Sequence, residues 1–122
     1  MNCYIVEDHE DMRIILKRMI KRNFHNLKIV GESDTAEKAL NEIPQLKPDL
    51  VLVDISLPGM DGIELIRHIR PSYKSCCILV VTGHDVNIYQ NDAMSAGADA
   101  IVSKGDISSL IKTIKDCYIE EV

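Results

Sequence analysis

The sequence of 122 residues contains no tryptophan and a single phenylalanine, so its core must be built mainly from aliphatic side chains. It also lacks an apolar run of the roughly 18 residues that a membrane-spanning helix requires. Lysine and arginine number 14 against 19 aspartate and glutamate residues, and the net charge of −5 argues against direct binding to nucleic acid. We therefore expect a domain that contacts neither a membrane nor nucleic acid directly.

The N-terminal residues do not form a signal peptide, because they lack a basic start and include Glu7 and Asp8. This predicts a cytoplasmic protein. The four cysteines are Cys3, Cys76, Cys77 and Cys117. No two of them form a Cys-x-x-Cys pair, so the spacing of a metal or redox motif is missing. In a reducing compartment we expect all four thiols to be reduced and buried.

Short apolar runs alternate with longer segments along the whole chain, which its length predicts to be one domain over residues 1–122. The runs are Cys3–Val6, Leu27–Val30, Leu50–Val53, Cys77–Val81 and Ala100–Val102. The central run reads Leu-Val-Leu-Val and is apolar at every position. Such a run is typical of a parallel strand that is covered on both faces.

The segments between these runs have helical periodicity. The first carries apolar residues at i, i+3, i+4, i+7 and i+8, namely Met12, Ile15, Leu16, Met19 and Ile20. Pro44 and Pro71 are predicted to end the second and third helices, and Gly97 the fourth. Five strands alternating with five helices predict an α/β fold with a doubly wound parallel sheet. We expect the flavodoxin-like strand order 2-1-3-4-5, in a three-layer sandwich.

Polar residues follow the apolar runs where each predicted strand ends: Glu7 and Asp8, Asp54, Thr82, and Lys104. In an open parallel sheet the carboxyl ends of the strands share one rim, and ligands bind there at the topological switch point. With the order 2-1-3-4-5, the three acidic residues should converge, and Thr82 and Lys104 should close the other side.

Three adjacent carboxylates repel one another unless a cation lies among them, and Lys104 alone cannot neutralise all three. Oxygen ligands suit Mg²⁺ or Mn²⁺ better than zinc. The rim therefore predicts a site for a divalent ion and an incoming phosphoryl group. Asp54 would attack phosphorus, Asp8, Asp54 and Glu7 would hold the ion, and Lys104 and Thr82 would bind phosphoryl oxygens.

At these positions the sequence resembles the response-regulator receiver family, the CheY-like domains of two-component signalling. The resemblance covers essentially the whole chain. Its most specific part is residues 54–62, Asp-Ile-Ser-Leu-Pro-Gly-Met-Asp-Gly, which is similar to the family's phospho-acceptor strand and following loop. Residues 5–9, 80–83 and 96–104 resemble its acidic pair, its switch threonine and its lysine strand. Residues 30–32, Val-Gly-Glu, are similar to receivers of the NarL/LuxR type.

The resemblance implies that Asp54 accepts a phosphoryl group from a histidine kinase or a histidine phosphotransfer protein. It also implies that the main-chain carbonyl of Ser56 completes the Mg²⁺ site. Phosphorylation would draw in Thr82 and change the surface of the fourth helix, fifth strand and fifth helix. That surface would signal to an output domain, as in transcription regulation, or mediate self-dimerisation. Such a domain is no enzyme beyond its self-phosphorylation and self-dephosphorylation.

Two positions depart from the family pattern. Ile101 stands where the family usually has Tyr or Phe, and an aliphatic side chain cannot present a ring that alternates between solvent and core. Gly105 follows the lysine where many members have proline and a cis bond, so a differently built loop is expected. We also hypothesise that Ser56 and His84, each two residues after a site residue, flank the attacking water and tune the phosphoryl lifetime. The other histidines, at positions 9, 25 and 68, lack metal-like spacing and are predicted to be surface or capping residues.

Three alternative functions would require other residues or leave Asp54 unphosphorylated. An aspartate-dependent phosphatase usually needs a second acid two residues after the nucleophile, where Ser56 stands. A nucleotide-binding module would have a glycine-rich first turn, whereas residues 8–11, Asp-His-Glu-Asp, are acidic. A pseudo-receiver, which binds partners without being phosphorylated, stays open because of Ile101.

Overall fold

The sheet and its helices follow the predicted alternation. The structure is a computed structural model and describes residues 1–119. The strands are β1 (Asn2–Val6), β2 (Lys28–Ser33), β3 (Leu50–Val53), β4 (Cys77–Thr82) and β5 (Ala100–Ser103). The helices are α1 (Glu10–Asn23), α2 (Ala36–Leu46), α3 (Gly62–Ile69), α4 (Val86–Ala96) and α5 (Ile107–Ile119). All strand pairs are parallel and the order is β2-β1-β3-β4-β5, which confirms the predicted fold class.

Helices cover both faces of the sheet. Because side chains alternate along a strand, Val51 and Val53 of β3 face one cluster while Leu50 and Leu52 face another. The first cluster is filled by α2, α3 and α4, and the second by α1 and α5. All four β3 residues are buried, as their continuous apolar run predicted. Within residues 1–119, no helix is both long and apolar enough to cross a bilayer.

The second helix does not end before Pro44, so that prediction is wrong. The α2 helix continues through Pro44 to Leu46. Because the proline lies in the last turn, its missing N–H removes only one bond from the helix. Lys47 then closes the helix in the left-handed region (φ 47°), and its N–H donates to the Ile43 carbonyl at 2.8 Å. Gly97 ends α4 with φ 117°, as predicted.

Two of the four cysteines also differ from expectation. Cys3 and Cys76 are buried free thiols, as predicted. Cys77 and Cys117 are joined by a disulfide, so the expectation that all four are reduced is wrong for this pair. The fold places the last turns of α5 against the start of β4, with Cα atoms 6.6 Å apart. The separation of 40 residues in sequence carried no sign of this proximity.

Arg70 links four elements at the end of the sheet opposite the acidic rim. The α3 helix ends at Ile69, and the 3-10 turn Arg70–Ser72 contains Pro71, the predicted stop. The Arg70 guanidinium donates to the carboxylate of Asp99 (2.8 Å) and to main-chain carbonyls. Those carbonyls belong to Gly97 (2.7 Å), Tyr73 (3.0 Å), Lys74 (3.2 Å) and Cys76 (2.8 Å).

Replacement of Arg70 by alanine is expected to lower the free energy of unfolding by about 3 kcal/mol, because several partly buried carbonyl groups lose their donor together. Urea denaturation followed by circular dichroism measures this change. Arg67→Ala is the matched control, since Arg67 makes an exposed pair with Glu64 and should change stability by less than ~0.5 kcal/mol. Equal losses in both variants would contradict a structural role for the Arg70 contacts.

Candidate functional site

The carboxyl ends of β1 and β3 bring the three predicted acidic residues together. Val6 and Val53 are register partners, so the residues that follow them emerge side by side at the rim. The Asp54 N–H donates to the Val6 carbonyl at 3.0 Å and continues the ladder into the site. One carboxylate oxygen from each of Glu7, Asp8 and Asp54 lies within 4.8 Å of the other two. An imidazole nitrogen of His9 lies within the same distance of these oxygens.

Asp54 is one of the two buried acids of this cluster and is only 4% exposed. Its Oδ2 accepts a hydrogen bond from Lys104 Nζ at 3.0 Å, and its Oδ1 accepts a long one from the Ser56 N–H at 3.4 Å. The chain then turns back through Gly59 (φ 75°), and the Gly62 N–H donates to the Ile55 carbonyl at 2.9 Å. A Cβ at Gly62 would lie 2.0 Å from the Asp54 carbonyl oxygen, so this close return requires glycine.

Lys104 extends from the end of β5 across the rim to both buried carboxylates. Its main-chain N–H donates to the Thr82 carbonyl at 2.8 Å, and its ammonium lies 2.6 Å from Glu7 Oε1 and 3.0 Å from Asp54 Oδ2. Burial alone lowers the pKa of Lys104, but hydrogen bonds to Glu7 and Asp54 outweigh it and raise the pKa above its usual value. Lys104 is therefore charged at neutral pH.

Burial raises the pKa of Glu7, against the lowering effect of its hydrogen bonds from Lys104 and from the His9 N–H. The Asp54 carboxylate nearby raises the pKa of Glu7 further. Burial is the main cause of this rise, and the carboxylates crowded around a single ammonium add to it. A divalent cation among them would lower the cost of ionising all three.

Asp8 supplies the observation that tests whether the cluster fits such a cation. Its Oδ1 is buried, and within residues 1–119 it has no hydrogen-bond partner. His9 Nδ1 approaches it to 3.1 Å without hydrogen-bonding geometry. A buried carboxylate oxygen without a partner is costly, and a hard cation such as Mg²⁺ would satisfy it. The donor set therefore fits the predicted metal.

Thr82 and the two flanking positions form the other side of the rim. Thr82 is fully buried, and its Oγ1 accepts a hydrogen bond from the His84 N–H at 3.0 Å. The exposed Ser56 Oγ and His84 Nε2 are 2.5 Å apart, a direct hydrogen bond across the mouth of the site. The His84 ring lies beside the Tyr89 ring, with centroids 5.3 Å apart.

His9 is the site residue that the sequence analysis missed. It is exposed, as expected of a surface residue, and it occupies the N-cap of α1 without a side-chain capping bond. Instead its Nδ1 turns toward Asp8 Oδ1 (3.1 Å) and Glu7 Oε2 (3.3 Å). The sequence did offer a sign of this role, because His9 directly follows Asp8. A residue that caps the helix after β1 must lie at the rim where β1 ends.

The two positions that depart from the family pattern have ordinary surroundings. Ile101 is half-buried and packs with Tyr89 against the cluster on the α4 side of the sheet. The Lys104–Gly105 peptide bond is trans.

Gly83 lies next to open space, since a Cβ there would meet only Lys104 Cδ at 3.7 Å. This space leaves room beside Thr82.

Comparisons with a family model, with curated sequences and with solved structures all point to response regulators. A family model described as "Response regulator receiver domain" matches residues 3–115. The chain is 32% identical to response regulator UvrY of Escherichia coli K12 over 119 residues, 97% of this chain and 54% of UvrY. It is 28% identical over 122 residues to the DNA-binding transcriptional activator EvgA of the same strain, 97% of this chain and 59% of EvgA. The chain spans about half the length of the curated relatives that it matches.

A solved structure of a LuxR-family two-component response regulator from Aurantimonas sp. SI85-9A1 superposes with a TM-score of 0.87. The two sequences are 33% identical, and the match covers 94% of this chain and 82% of that one. A LuxR-family DNA-binding response regulator from Staphylococcus aureus superposes with a TM-score of 0.86 at 28% identity, covering 95% of this chain and 97% of that one.

Proposed function

This chain belongs to the response regulator receiver domain family, with NarL/LuxR-like relatives, and we propose that it accepts a phosphoryl group on Asp54. One observation carries the proposal. The Asp54 carboxylate is buried at the end of β3, is hydrogen-bonded to the Lys104 ammonium, and lies within 4.8 Å of the other two carboxylates. A buried, charge-compensated carboxylate beside a cation site is suited to attack phosphorus.

In the proposed reaction an Asp54 oxygen forms a bond to phosphorus while the bond from phosphorus to the donor's histidine nitrogen breaks. The side chains of Asp8, Asp54 and Glu7 and the main-chain carbonyl of Ser56 would hold Mg²⁺ or Mn²⁺. That ion supplies positive charge beside the phosphoryl oxygens. Lys104 would exchange a carboxylate partner for a phosphoryl oxygen, and Thr82 would turn its hydroxyl to another. The open space at Gly83 would let the donor approach.

The proposal extends to partners and output. The donor would be a histidine kinase or a histidine phosphotransfer protein, as family membership implies. The α4-β5-α5 surface would carry the signal to an output domain or to a second copy of the chain. EvgA, named as a DNA-binding transcriptional activator and matched over only 59% of its length, supports an output in transcription. Residues 1–122 would act as one receiver domain, and the cytoplasmic location stays a prediction.

The proposal is tested by intact mass measurement after incubation with acetyl phosphate or phosphoramidate, with Mg²⁺ and with EDTA. We expect one phosphoryl adduct with Mg²⁺ and none with EDTA. If no adduct forms while a known receiver reacts under the same conditions, the chain is a pseudo-receiver that binds its partners without phosphorylation. An adduct of equal yield in EDTA would overturn the role assigned to the metal.

The hydrogen bond between Ser56 and His84 is expected to set the lifetime of the phosphorylated state. Because these two side chains would hinder the water that attacks the acyl phosphate, His84→Ala and Ser56→Ala should each speed its hydrolysis by roughly tenfold, equivalent to one hydrogen bond of about 1.4 kcal/mol. Decay of the adduct measured by mass gives the rate. The double variant should be no faster than either single one.

The matched control for this prediction is His68→Ala, which removes an exposed histidine on α3 that pairs only with Glu64 in the described part of the chain. Its decay rate should equal that of the wild-type chain. Unchanged lifetimes in both the His84 and Ser56 variants would remove the proposed role.

A further inference from the structure

A strand and a helix are covalently joined at the end of the sheet remote from Asp54. Cys77 is the first residue of β4 and is buried, and Cys117 lies near the end of α5 and is half-buried. Their disulfide joins residues 40 apart in sequence. Cys77 pairs in register with Leu50, the first residue of β3, whereas Asp54 follows the last. The link is therefore separated from the acidic rim by the length of the sheet.

We propose that Cys77 and Cys117 form a reversible redox site that exchanges with small disulfides of the glutathione class. In its oxidised form the site fastens the last turn of α5 to β4, and in its reduced form this covalent link is absent. The apolar face of α5 packs through Leu110 and Ile114 on the same side of the sheet as Cys77. Reduction therefore releases the tether without removing the rest of the helix's contacts.

In this thiol–disulfide exchange the small disulfide is the oxidant of the two cysteine thiols. Cys117 is the more accessible sulfur; after losing its proton it attacks the small disulfide, whose S–S bond breaks and whose first half leaves as a thiol. The deprotonated Cys77 sulfur then attacks the Cys117 sulfur, a new S–S bond forms, and the second half leaves as a thiol. Two cysteine thiols are oxidised, one small disulfide is reduced to two thiols, and the two protons end on those products.

The other two cysteines have surroundings that disfavour this chemistry. Burial raises the pKa of Cys3 far above its usual value, helped by Cys76, and burial raises the pKa of Cys76 to about 11. Both therefore stay as thiols, which are poor nucleophiles. Cys76 is adjacent to Cys77 but belongs to the cluster on the opposite face of the sheet. Cys76 is therefore a control at the neighbouring position, with its side chain on the other face of the sheet.

The oxidised form should be more resistant to heat, because the link closes a 40-residue loop and restricts the unfolded chain. For a chain of this size we expect the thermal midpoint to rise by about 10 °C on oxidation. If the α4-β5-α5 surface carries output as proposed above, the same link would restrict α5 independently of phosphorylation. The redox proposal itself does not depend on that output.

The test uses the full chain as wild type, Cys117→Ser and Cys76→Ser, equilibrated with mixtures of reduced and oxidised glutathione. Thiols are trapped with an alkylating agent in denaturant, free thiols are counted by intact mass, and the link is located by peptide mapping. Wild type and Cys76→Ser should each lose two alkylatable thiols, gain a 77–117 link, and show the higher midpoint until dithiothreitol is added. Cys117→Ser should form no internal link and should melt at the midpoint of the reduced wild type.

The proposal is overturned if the wild type keeps four alkylatable thiols at every glutathione ratio, or if mapping places the link at other cysteines. It is also overturned if the thermal midpoint of the linked wild type equals that of Cys117→Ser. Cys117 is half-buried, so its serine variant should fold even if a Cys77 variant does not. No phosphoryl donor is present, so failure here is separate from failure of Asp54 to accept a phosphoryl group.

Discussion

Replacing Asp54 by asparagine is expected to abolish the phosphoryl adduct, a loss of at least roughly a hundredfold in initial rate. Asparagine has nearly the same shape as aspartate, but its amide offers no anionic oxygen to attack phosphorus. The variant should stay folded, because it removes one charge from a crowded cluster and leaves Lys104 paired with Glu7 at 2.6 Å. Intact mass after reaction with acetyl phosphate and Mg²⁺ measures the result, and circular dichroism checks the fold.

Asp61→Asn is the matched control, because Asp61 belongs to the same loop but is exposed and caps α3 through the Glu64 N–H at 2.8 Å. Asparagine caps a helix about as well as aspartate, so stability and adduct should both be kept. An adduct that persists in the Asp54 variant would place the acceptor elsewhere, with His9 as the first alternative. Treatment with alkali separates a carboxylate adduct from a histidine adduct, since it hydrolyses an acyl phosphate rapidly and leaves a phosphohistidine intact.

Gly62→Ala is expected to be among the most destabilising single-methyl additions in the chain, with a loss of more than about 3 kcal/mol in the free energy of unfolding. The added Cβ would lie 2.0 Å from the Asp54 carbonyl oxygen, 2.8 Å from its carbonyl carbon and 3.1 Å from Ile55 Cα. All three atoms are backbone, so no side-chain rotation relieves the clash. Urea denaturation measures the loss.

The control is Gly105→Ala, in a loop at the same rim, where the new Cβ would meet only Ser103 Oγ at 3.7 Å. We expect its stability to stay within about 1 kcal/mol of the wild type. The folded fraction of Gly62→Ala should also accept phosphoryl groups more slowly, because relief of the clash must move the backbone that positions Asp54. A Gly62→Ala chain as stable as the Gly105 variant would show that the loop yields without cost.

Much of the fold was readable from local patterns. The Leu-Val-Leu-Val run predicted β3 at its observed bounds because a strand covered on both faces is apolar at every position. Pro71 correctly predicted the end of α3. Pro44 misled, because the effect of a proline depends on its place in the helix, and in the last turn it costs only one hydrogen bond. The Lys47 cap that tolerates it has no sequence signature, since lysine rarely adopts a positive φ.

The sequence by itself determined the alternation of strands and helices, and hence a parallel sheet whose strand ends carry Glu7, Asp8, Asp54, Thr82 and Lys104. It did so because hydrophobic periodicity and the chemistry of strand ends are short-range properties. Only the tertiary structure decided which side chains touch: Lys104 with Glu7, Ser56 with His84, and Cys77 with Cys117. These contacts join residues that are 28 to 97 positions apart, taking 104 minus 7 for the widest. Ångström-scale distances between such residues depend on how strands and helices pack, which no local pattern encodes.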